Sequence, residues 1–235
     1  PVVVEDACGA HGARLGDRKA GAIGAASAFS FFFSHHLSTI EGGMVNTDSE
    51  AIANAARSVR AHGWTRERSD RDRINAANSE IDPRFLFVSA GFNLRPTEIT
   101  GAMGVCQVPR LDGYVARRRA NHRAWCEAVA ELDLPLRVFP ELPGTEHAAF
   151  AFPMLLDTDA PVDRAALCAA LESRGISTRP ISGSNLARQP AFERVPNARI
   201  EGDTPVADAV HTRGFFVGQS HAFDQTYLGR LIDGL

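Results

Sequence analysis

The feature that most constrains the fold is a short, continuous apolar run near the start of the chain, "PVVVED", which ends in two acids. A β-branched run of this length is typical of a buried strand whose carboxyl end carries polar groups. Two further runs, "SAFSFFF" and "GGMVNTD", predict strands. The next segment, "SEAIANAARSVRAHG", predicts a helix with Ser49 as its N-cap and Gly63 as its stop. Strands and helices in this order favour an α/β fold.

The sequence pattern changes near the middle of the chain. Residues 64–83 are polar and lack periodicity, which predicts a long surface loop. A helix from Pro96 and a longer one over about residues 111–132 follow. After Pro135 the runs "HAAFAFPMLLD", "VDRAALCAALESRGI" and "GFFVG" predict shorter strands and a helix. We therefore predict an α/β domain over residues 1–132 and a smaller α+β C-terminal domain over residues 133–235.

Composition excludes several classes of function. The chain of 235 residues is 44% hydrophobic and 23% charged, as expected of a soluble globular protein. Its net charge of -3 does not favour binding to nucleic acid or to an anionic membrane. No apolar run is long enough to span a bilayer. The four cysteines lack metal or redox spacing, so we expect free thiols in the cytoplasm.

Polar residues with chemical potential follow three predicted strands or turns. Glu5 and Asp6 end the first strand, where a carboxylate can bind a cationic ring nitrogen or a metal; a structural role in capping the next turn is the alternative. His35 and His36 follow the second strand, and histidine suits proton transfer near neutral pH. Asn93 precedes a helix N-terminus, which favours an anion.

Other chemistries find little support in the sequence. The spacing of Cys8, His11, His35 and His36 matches no zinc pattern, so we predict no metal site. No glycine-rich phosphate loop of the Rossmann or Walker type is present. No nucleophile-elbow motif supports hydrolysis by a serine.

The segments "VVVEDACGAHGARLGDRKAGAIGAASAFSFFFSHHLSTIEGGMVNTD", "GFNLRPTEITGAMGVCQVPRLDGYVARRRANH" and "ISTRPISGSNLARQPAF" resemble one family in order and spacing. It is the fold-type I, PLP-dependent sugar aminotransferase family (the DegT/DnrJ/EryC/StrS group), and the resemblance covers nearly the whole chain. It implies the C-terminal part of that fold: a large-domain segment with a mainly parallel sheet, and a small domain. Because the chain opens on Pro1 inside a strand-like run, we expect a fragment that lacks the family's N-terminal part.

The resemblance assigns roles to individual residues. Asp6 corresponds to the carboxylate that pairs with the protonated pyridine nitrogen of pyridoxal 5'-phosphate (PLP), and Ser30 to a hydroxyl that binds its phosphate. Asn93 is similar to the asparagine that reaches the cofactor phosphate of the neighbouring subunit, which implies a homodimer with shared active sites. On the substrate side, Asn185 and Arg188 in "GSNLARQP" are the candidates.

One departure from the family changes the expected chemistry. Five residues after Ser30, the aminotransferases have the lysine that holds the cofactor covalently, and this chain has His35. The subgroup with this substitution comprises the 3-dehydratases of nucleotide-linked 4-keto-6-deoxyhexoses, which bind the cofactor non-covalently, largely as pyridoxamine 5'-phosphate (PMP). In that subgroup the histidine is the catalytic base, so we assign this role to His35. We leave His36 outside the catalytic assignment. Gly9 stands where the family often has glutamine or another polar residue that contacts the cofactor near its ring.

The subgroup has two branches, and cysteine content favours one of them. The first branch carries a [2Fe-2S] cluster, but residues 64–91 contain no cysteine, so we expect no iron–sulfur cluster. The second branch gives a 3,6-dideoxy-4-keto sugar and ammonia, and L-glutamate restores PMP. Two alternatives stay open: a truncated, non-catalytic family member, and a sugar aminotransferase. The aminotransferase is disfavoured because Lys19, the only lysine, lies in the turn before the "SF" strand.

Overall fold

The computed structural model describes residues 2–235, which pack as two compact units. Unit 1 comprises the chain up to Tyr114 together with Gly144–Ala148. Unit 2 comprises Val115–Pro143 and Ala149–Leu235. This division falls earlier than the predicted boundary at residue 132. The physical reason is that the long helix after Tyr114 buries Trp125 and Val129 in the core of unit 2.

The regular elements alternate along the chain. The strands are β1 (Val4–Asp6), β2 (Arg14–Leu15), β3 (Arg18–Lys19), β4 (Ala26–Ser30), β5 (Gly43–Asn46), β6 (Leu136–Val138), β7 (Thr145–Glu146), β8 (Ala151–Leu156), β9 (Thr178–Pro180) and β10 (Gly214–Gly218). The helices are α1 (Glu50–Val59), α2 (Arg71–Ala77), α3 (Glu98–Gln107), α4 (Leu111–Ala130), α5 (Arg164–Ser173), α6 (Pro205–Arg213) and α7 (Gln225–Ile232). None of the helices in residues 2–235 combines the length and apolar character needed to cross a membrane.

Unit 1 is built on a three-stranded sheet in the order β1-β4-β5. β1 and β4 are parallel, with Asp6 opposite Ala28, whereas β4 and β5 are antiparallel, with Ser30 opposite Gly43. Among the described strands, β1 and β4 form the one parallel pair. The mainly parallel sheet that was predicted is therefore limited, in the described residues, to this pair. A second, small antiparallel sheet has the order β3-β2-β7. The main sheet thus brings the carboxyl ends of β1 and β4 side by side.

The first predicted strand forms, but the prediction that it is buried is wrong for the described residues. Val2, Val3 and Val4 are 79%, 56% and 68% exposed. The physical reason is that β1 lies at the edge of its sheet, with β4 as its neighbour on one side. An apolar run therefore predicted the strand correctly and its environment incorrectly.

The Glu5 side chain organises the turn between β3 and β4. Its carboxylate accepts hydrogen bonds from the N–H groups of Gly21 (2.7 Å), Ile23 (2.7 Å) and Gly24 (2.6 Å). A Cβ at position 24 would lie 2.6 Å from the carbonyl oxygen of Val3, so glycine is required for this close approach. The contacts of Glu5 therefore support a structural role, the capping of this turn, rather than ligand binding.

The predicted helix and loop after β5 are partly confirmed. Ser49 caps α1 as predicted, since its side chain accepts a hydrogen bond from the N–H of Ile52. The prediction of an unstructured loop over residues 64–83 is wrong, because α2 lies within it. Ion pairs of Asp70 with Arg68 and Arg73 stabilise the start of α2. This helix has no buried residue, so it lacks the apolar periodicity by which sequence patterns indicate helices.

Unit 2 contains an antiparallel sheet in the order β6-β8-β10-β9. Along β8, side chains alternate between half-buried and buried positions, as expected when one face of a sheet is covered. Residues of α4, α5 and α7 pack with this sheet in one hydrophobic core, whose fully buried large members are Trp125, Phe152, Met154, Leu171, Ile176, Phe215, Val217 and Leu231.

We expect Phe152→Ala to lower the free energy of unfolding by about 3–5 kcal/mol, because the ring is fully buried and its removal leaves a cavity. Denaturant unfolding followed by Trp125 fluorescence in a Trp64→Phe background measures this change. The control Val162→Ala removes a 47% exposed side chain, and we expect a change within about 0.5 kcal/mol. Equal effects of the two substitutions would contradict the assignment of the core.

Glu5→Gln should lower stability at neutral pH, because an amide has one acceptor oxygen for three N–H donors. Hydrogen bonds from Gly24 and Gly21 lower the pKa of Glu5 below its ordinary value of 4.5. A lowered folded-state pKa means that the stabilisation is full above pH 4.5 and is lost as pH falls through the lower value. The stability difference between wild type and Glu5→Gln should therefore shrink in acid. The exposed Glu80→Gln serves as the control, and a pH-independent difference would contradict this role.

Candidate active site

Asp6 presents an exposed carboxylate at the carboxyl end of β1. Its Oδ1 accepts a hydrogen bond from the N–H of Cys8 at 3.1 Å. The Cys8 thiol and this N–H lower the pKa of Asp6, and the charge of His35 contributes to the same shift. Asp6 is therefore an anion at neutral pH, available to a cationic group at the end of the sheet.

Ser30 ends β4, the strand next to β1. Its half-buried hydroxyl accepts a hydrogen bond from the N–H of Phe32 at 3.2 Å. The hydroxyl proton can therefore be donated to an anion at this edge of the sheet. Asp6 and Ser30 occupy the ends of adjacent parallel strands, where α/β sheets bind ligands.

His35 follows β4 in a turn closed by its own N–H, which donates to the carbonyl oxygen of Phe32 at 3.0 Å. Burial lowers the pKa of the half-buried imidazole, and the negative charge of Asp6 opposes this shift to a smaller extent. His35 is therefore neutral at neutral pH and can accept a proton. His35 and Asp6 shift each other's pKa, so the two side chains lie near each other.

The loop that carries His35 is held at both ends. The N–H of Phe31 donates to the carbonyl oxygen of Gly42 at 2.9 Å. The N–H of Thr39 donates to the carbonyl oxygen of Phe31 at 2.8 Å. Gln107, in the last turn of α3, accepts a hydrogen bond from the N–H of Ser38 at 3.0 Å. Sequence reasoning missed Gln107, because nothing in its own segment connects it to residue 38.

His36, within this loop, and His11 are both buried. His36 is 4% exposed, and its Nε2 lies 3.0 Å from the carbonyl oxygen of Ala148. His11, also 4% exposed, packs its ring 5.1 Å from Phe29 and 5.4 Å from His36. Burial lowers the pKa of His11 to about 4, so it stays neutral. Among residues 2–235, no cluster of three or more His, Cys, Asp or Glu side chains could hold a metal ion.

Asn93 lies in a different part of unit 1, in the segment between α1 and α3. It forms an antiparallel bridge with Ala61. Its exposed side chain accepts a hydrogen bond from Nε of Arg95 at 3.1 Å. The assignment of Asn93 to a partner's cofactor stays a prediction.

The two substrate-side candidates lie in unit 2. Asn185 is 3% exposed; its amide donates to Thr204 (3.0 Å) and Asp208 (2.9 Å), and its oxygen accepts from the N–H of Ala187. Arg188 pairs with Asp208 at 2.6 Å and remains half exposed. The contacts of Asn185 are those of a structural residue, whereas Arg188 retains donors that face solvent. Both substrate assignments stay predictions.

The side chains at the ends of β1 and β4 suit a pyridoxal-type cofactor. An anionic carboxylate fits a protonated ring nitrogen, and a hydroxyl on the neighbouring strand fits a phosphate. His35 adds a neutral imidazole that can move a proton. Lys19, the single lysine, is exposed on β3.

Comparisons with known proteins identify the family of the chain. The sequence profile of the DegT/DnrJ/EryC1/StrS aminotransferase family matches residues 2–235. The GDP-4-keto-6-deoxy-D-mannose 3-dehydratase of Yersinia pseudotuberculosis is 36% identical over 225 residues, which are 94% of this chain and 56% of that protein. The dTDP-4-dehydro-2,6-dideoxy-D-glucose 3-dehydratase of Saccharopolyspora spinosa is 33% identical over 92% of this chain and 48% of its own length.

A solved structure has the same fold. The E. coli GDP-4-keto-6-deoxy-D-mannose-3-dehydratase with bound hydrated PLP superposes with a TM-score of 0.91 at 30% identity, over 100% of this chain and 60% of that one. The chain thus spans between about half and three fifths of the length of these relatives. The family profile covers more than nine tenths of the chain, and the fold agrees with it. The chain therefore belongs to the DegT/DnrJ/EryC1/StrS aminotransferase family.

Proposed function

We propose that the protein of which this chain is part is a PLP/PMP-dependent 3-dehydratase of a nucleotide-linked 4-keto-6-deoxyhexose. The observation that carries the proposal is His35, which takes the place of the family's lysine and lies within the electrostatic influence of Asp6. The product would be a 3,6-dideoxy-4-keto sugar for deoxysugar or lipopolysaccharide synthesis. Two relatives at 36% and 33% identity are 3-dehydratases by name, which supports this reaction class.

Asp6 and Ser30 would hold the cofactor. The chemistry that PLP or PMP supplies when bound is an amino group for the sugar ketone and an electron-withdrawing ring. Asp6 would keep a proton on the ring nitrogen, because its own lowered pKa leaves the carboxylate ionised. Ser30, the last residue of β4, would donate its hydroxyl proton to the cofactor phosphate.

His35 would move the proton on which deoxygenation depends. The neutral imidazole would accept a proton from a carbon atom of the cofactor. The resulting imidazolium would donate that proton to the C3 hydroxyl group of the sugar, which leaves as water. Its lowered pKa favours the neutral form before the reaction, and the nearby Asp6 carboxylate stabilises the imidazolium. One residue thus serves as base and then as acid.

Partners and compartment belong to the same proposal. A related structure, 30% identical, contains a PLP-glutamate geminal diamine, which supports L-glutamate as amino donor here. The substrate would be a nucleotide sugar, and Asn93 would reach the cofactor phosphate of a second protomer in a homodimer. Four free cysteines support the cytoplasm as the compartment.

The reaction class can be tested directly. Full-length protein is incubated with PLP, L-glutamate and GDP-4-keto-6-deoxymannose, and then with dTDP-, CDP- and UDP-linked 4-keto-6-deoxyhexoses. We expect ammonia and a 3-deoxygenated sugar from at least one of them. An amino sugar as the sole product would instead identify an aminotransferase, and no product from any substrate would refute the proposal.

His35→Asn should lower the rate of deoxygenation by about 10²–10⁴-fold, since the general base is lost. We expect the affinity for PLP to stay nearly unchanged, because Asp6 and Ser30 are intact. Product release and cofactor absorbance measure the two effects. His211→Asn, on α6 of unit 2, is the matched histidine control. Full activity of His35→Asn would remove this residue from catalysis.

Asp6→Asn should weaken PLP binding and lower the rate, because the charged partner of the ring nitrogen is lost. The pH profile provides a second check. Burial holds the pKa of His35 below its ordinary value of 6.5, so the acidic limb of activity should lie below pH 6.5. Asp6 raises that pKa, and its removal should shift the remaining activity's limb further towards acid. An unchanged profile and unchanged affinity would discredit both interactions.

A further inference from the structure

The loop that carries His35 returns to the sheet through a strained turn. Ile40 has a φ of 72°, a left-handed conformation that is unfavourable for a β-branched residue. Its side chain is 63% exposed, so its own packing gives little compensation. Such conformations persist where the surrounding structure enforces them, and they are frequent at functional sites. Neighbouring groups must therefore hold this turn.

Gln107 is the side chain that holds it. Its Oε1 accepts from the N–H of Ser38 at 3.0 Å, and its Nε2 donates to the carbonyl oxygen of the same residue. One amide thus satisfies both main-chain groups of Ser38. A further bond from Nε2 to the carbonyl oxygen of Met103, at 3.1 Å, fixes the orientation of the amide on α3. The Ser38 hydroxyl in turn accepts from the N–H of Ile40 at 3.2 Å.

We propose that Gln107 is a positioning residue for His35: its amide fixes the turn at residues 38–42 and, through that turn, the loop that presents the imidazole. The inference rests on the proposed function, in which His35 moves the proton. Rate depends steeply on the position of a catalytic group, so a loosened loop costs turnover even when the cofactor still binds. No atom of Gln107 needs to contact substrate for this role.

The pKa of His35 reports on the loop independently of turnover. Burial is its main cause of lowering. Asp6 of β1 and His11 of the segment after β1 are titratable groups that interact with His35, and both lie outside the turn and α3. Loosening the turn should therefore act first through exposure of the ring. That exposure would raise the pKa of His35 towards 6.5.

The first measurement is an NMR titration of His35 in full-length protein without cofactor, with His35→Asn used to assign the resonance. We expect a raised pKa in Gln107→Ala and also in Gln107→Glu, which keeps the size but has no N–H for the carbonyl oxygen of Ser38. Gln225→Ala, an exposed glutamine at the start of α7, should leave the pKa unchanged.

The second measurement is turnover of the holoenzyme. We expect kcat to fall about 10-fold in both Gln107 variants, with PLP affinity within about 2-fold of wild type. The acidic limb of the pH profile should move up with the pKa of His35. Ile40→Asn should restore part of kcat and lower the pKa again in the Gln107→Ala background, because asparagine tolerates the left-handed conformation that the turn requires.

An unchanged His35 pKa in both Gln107 variants would overturn the proposal, and so would a rescue variant that restores neither quantity. The two proposals fail separately. If full-length protein deoxygenates no sugar but the titration shifts and recovers as described, the proposed reaction is refuted and the positioning role stands. If the sugar is deoxygenated and the titration does not move, the positioning role is refuted alone.

Discussion

The parallel pairing of β1 with β4 is the interaction on which the candidate site depends. It sets Asp6 opposite Ala28 and places Ser30 at the neighbouring strand end. Because side chains alternate along a strand, a shift of one residue in this register would turn Asp6 to the opposite face. Glu5 shows the alternation directly: its carboxylate binds the turn at residues 21–24, whereas the carboxylate of Asp6 stays available. Adjacent acids therefore have different roles.

Environment separates the protonation states of Asp6 and His35, the two groups that the proposed chemistry uses. Burial lowers the pKa of His35 and outweighs the opposite effect of Asp6. Hydrogen bonds from Cys8 lower the pKa of Asp6, and the positive charge of a protonated His35 acts in the same direction. At neutral pH the site thus contains an anion beside a neutral imidazole. This is the combination required to stabilise a pyridinium and to abstract a proton.

Sequence patterns predicted the features that depend on residues close together in the chain. The cap at Ser49, three strands of unit 1, and α4, α5, β8 and β10 follow from short-range rules. The spacing from Ser30 to His35 identified the departure from the family. Features that depend on distant contacts were not predictable. The exposure of β1 depends on which strands surround it, α2 is stabilised by ion pairs rather than an apolar face, and Gln107 acts on a residue far away in sequence.

The surface around Asn93 bears on the proposed homodimer. Large apolar side chains are exposed next to Asn93 in sequence, at Phe92 (64%) and Leu94 (67%), and on α3, at Ile99 (73%) and Val105 (74%). Burial of such apolar surface against a second copy would be favourable. A second copy that covers this segment would bring the amide of Asn93 to the partner protomer. Association and the sharing of active sites would then use the same residues, which is why the homodimer and the phosphate contact of Asn93 form one proposal.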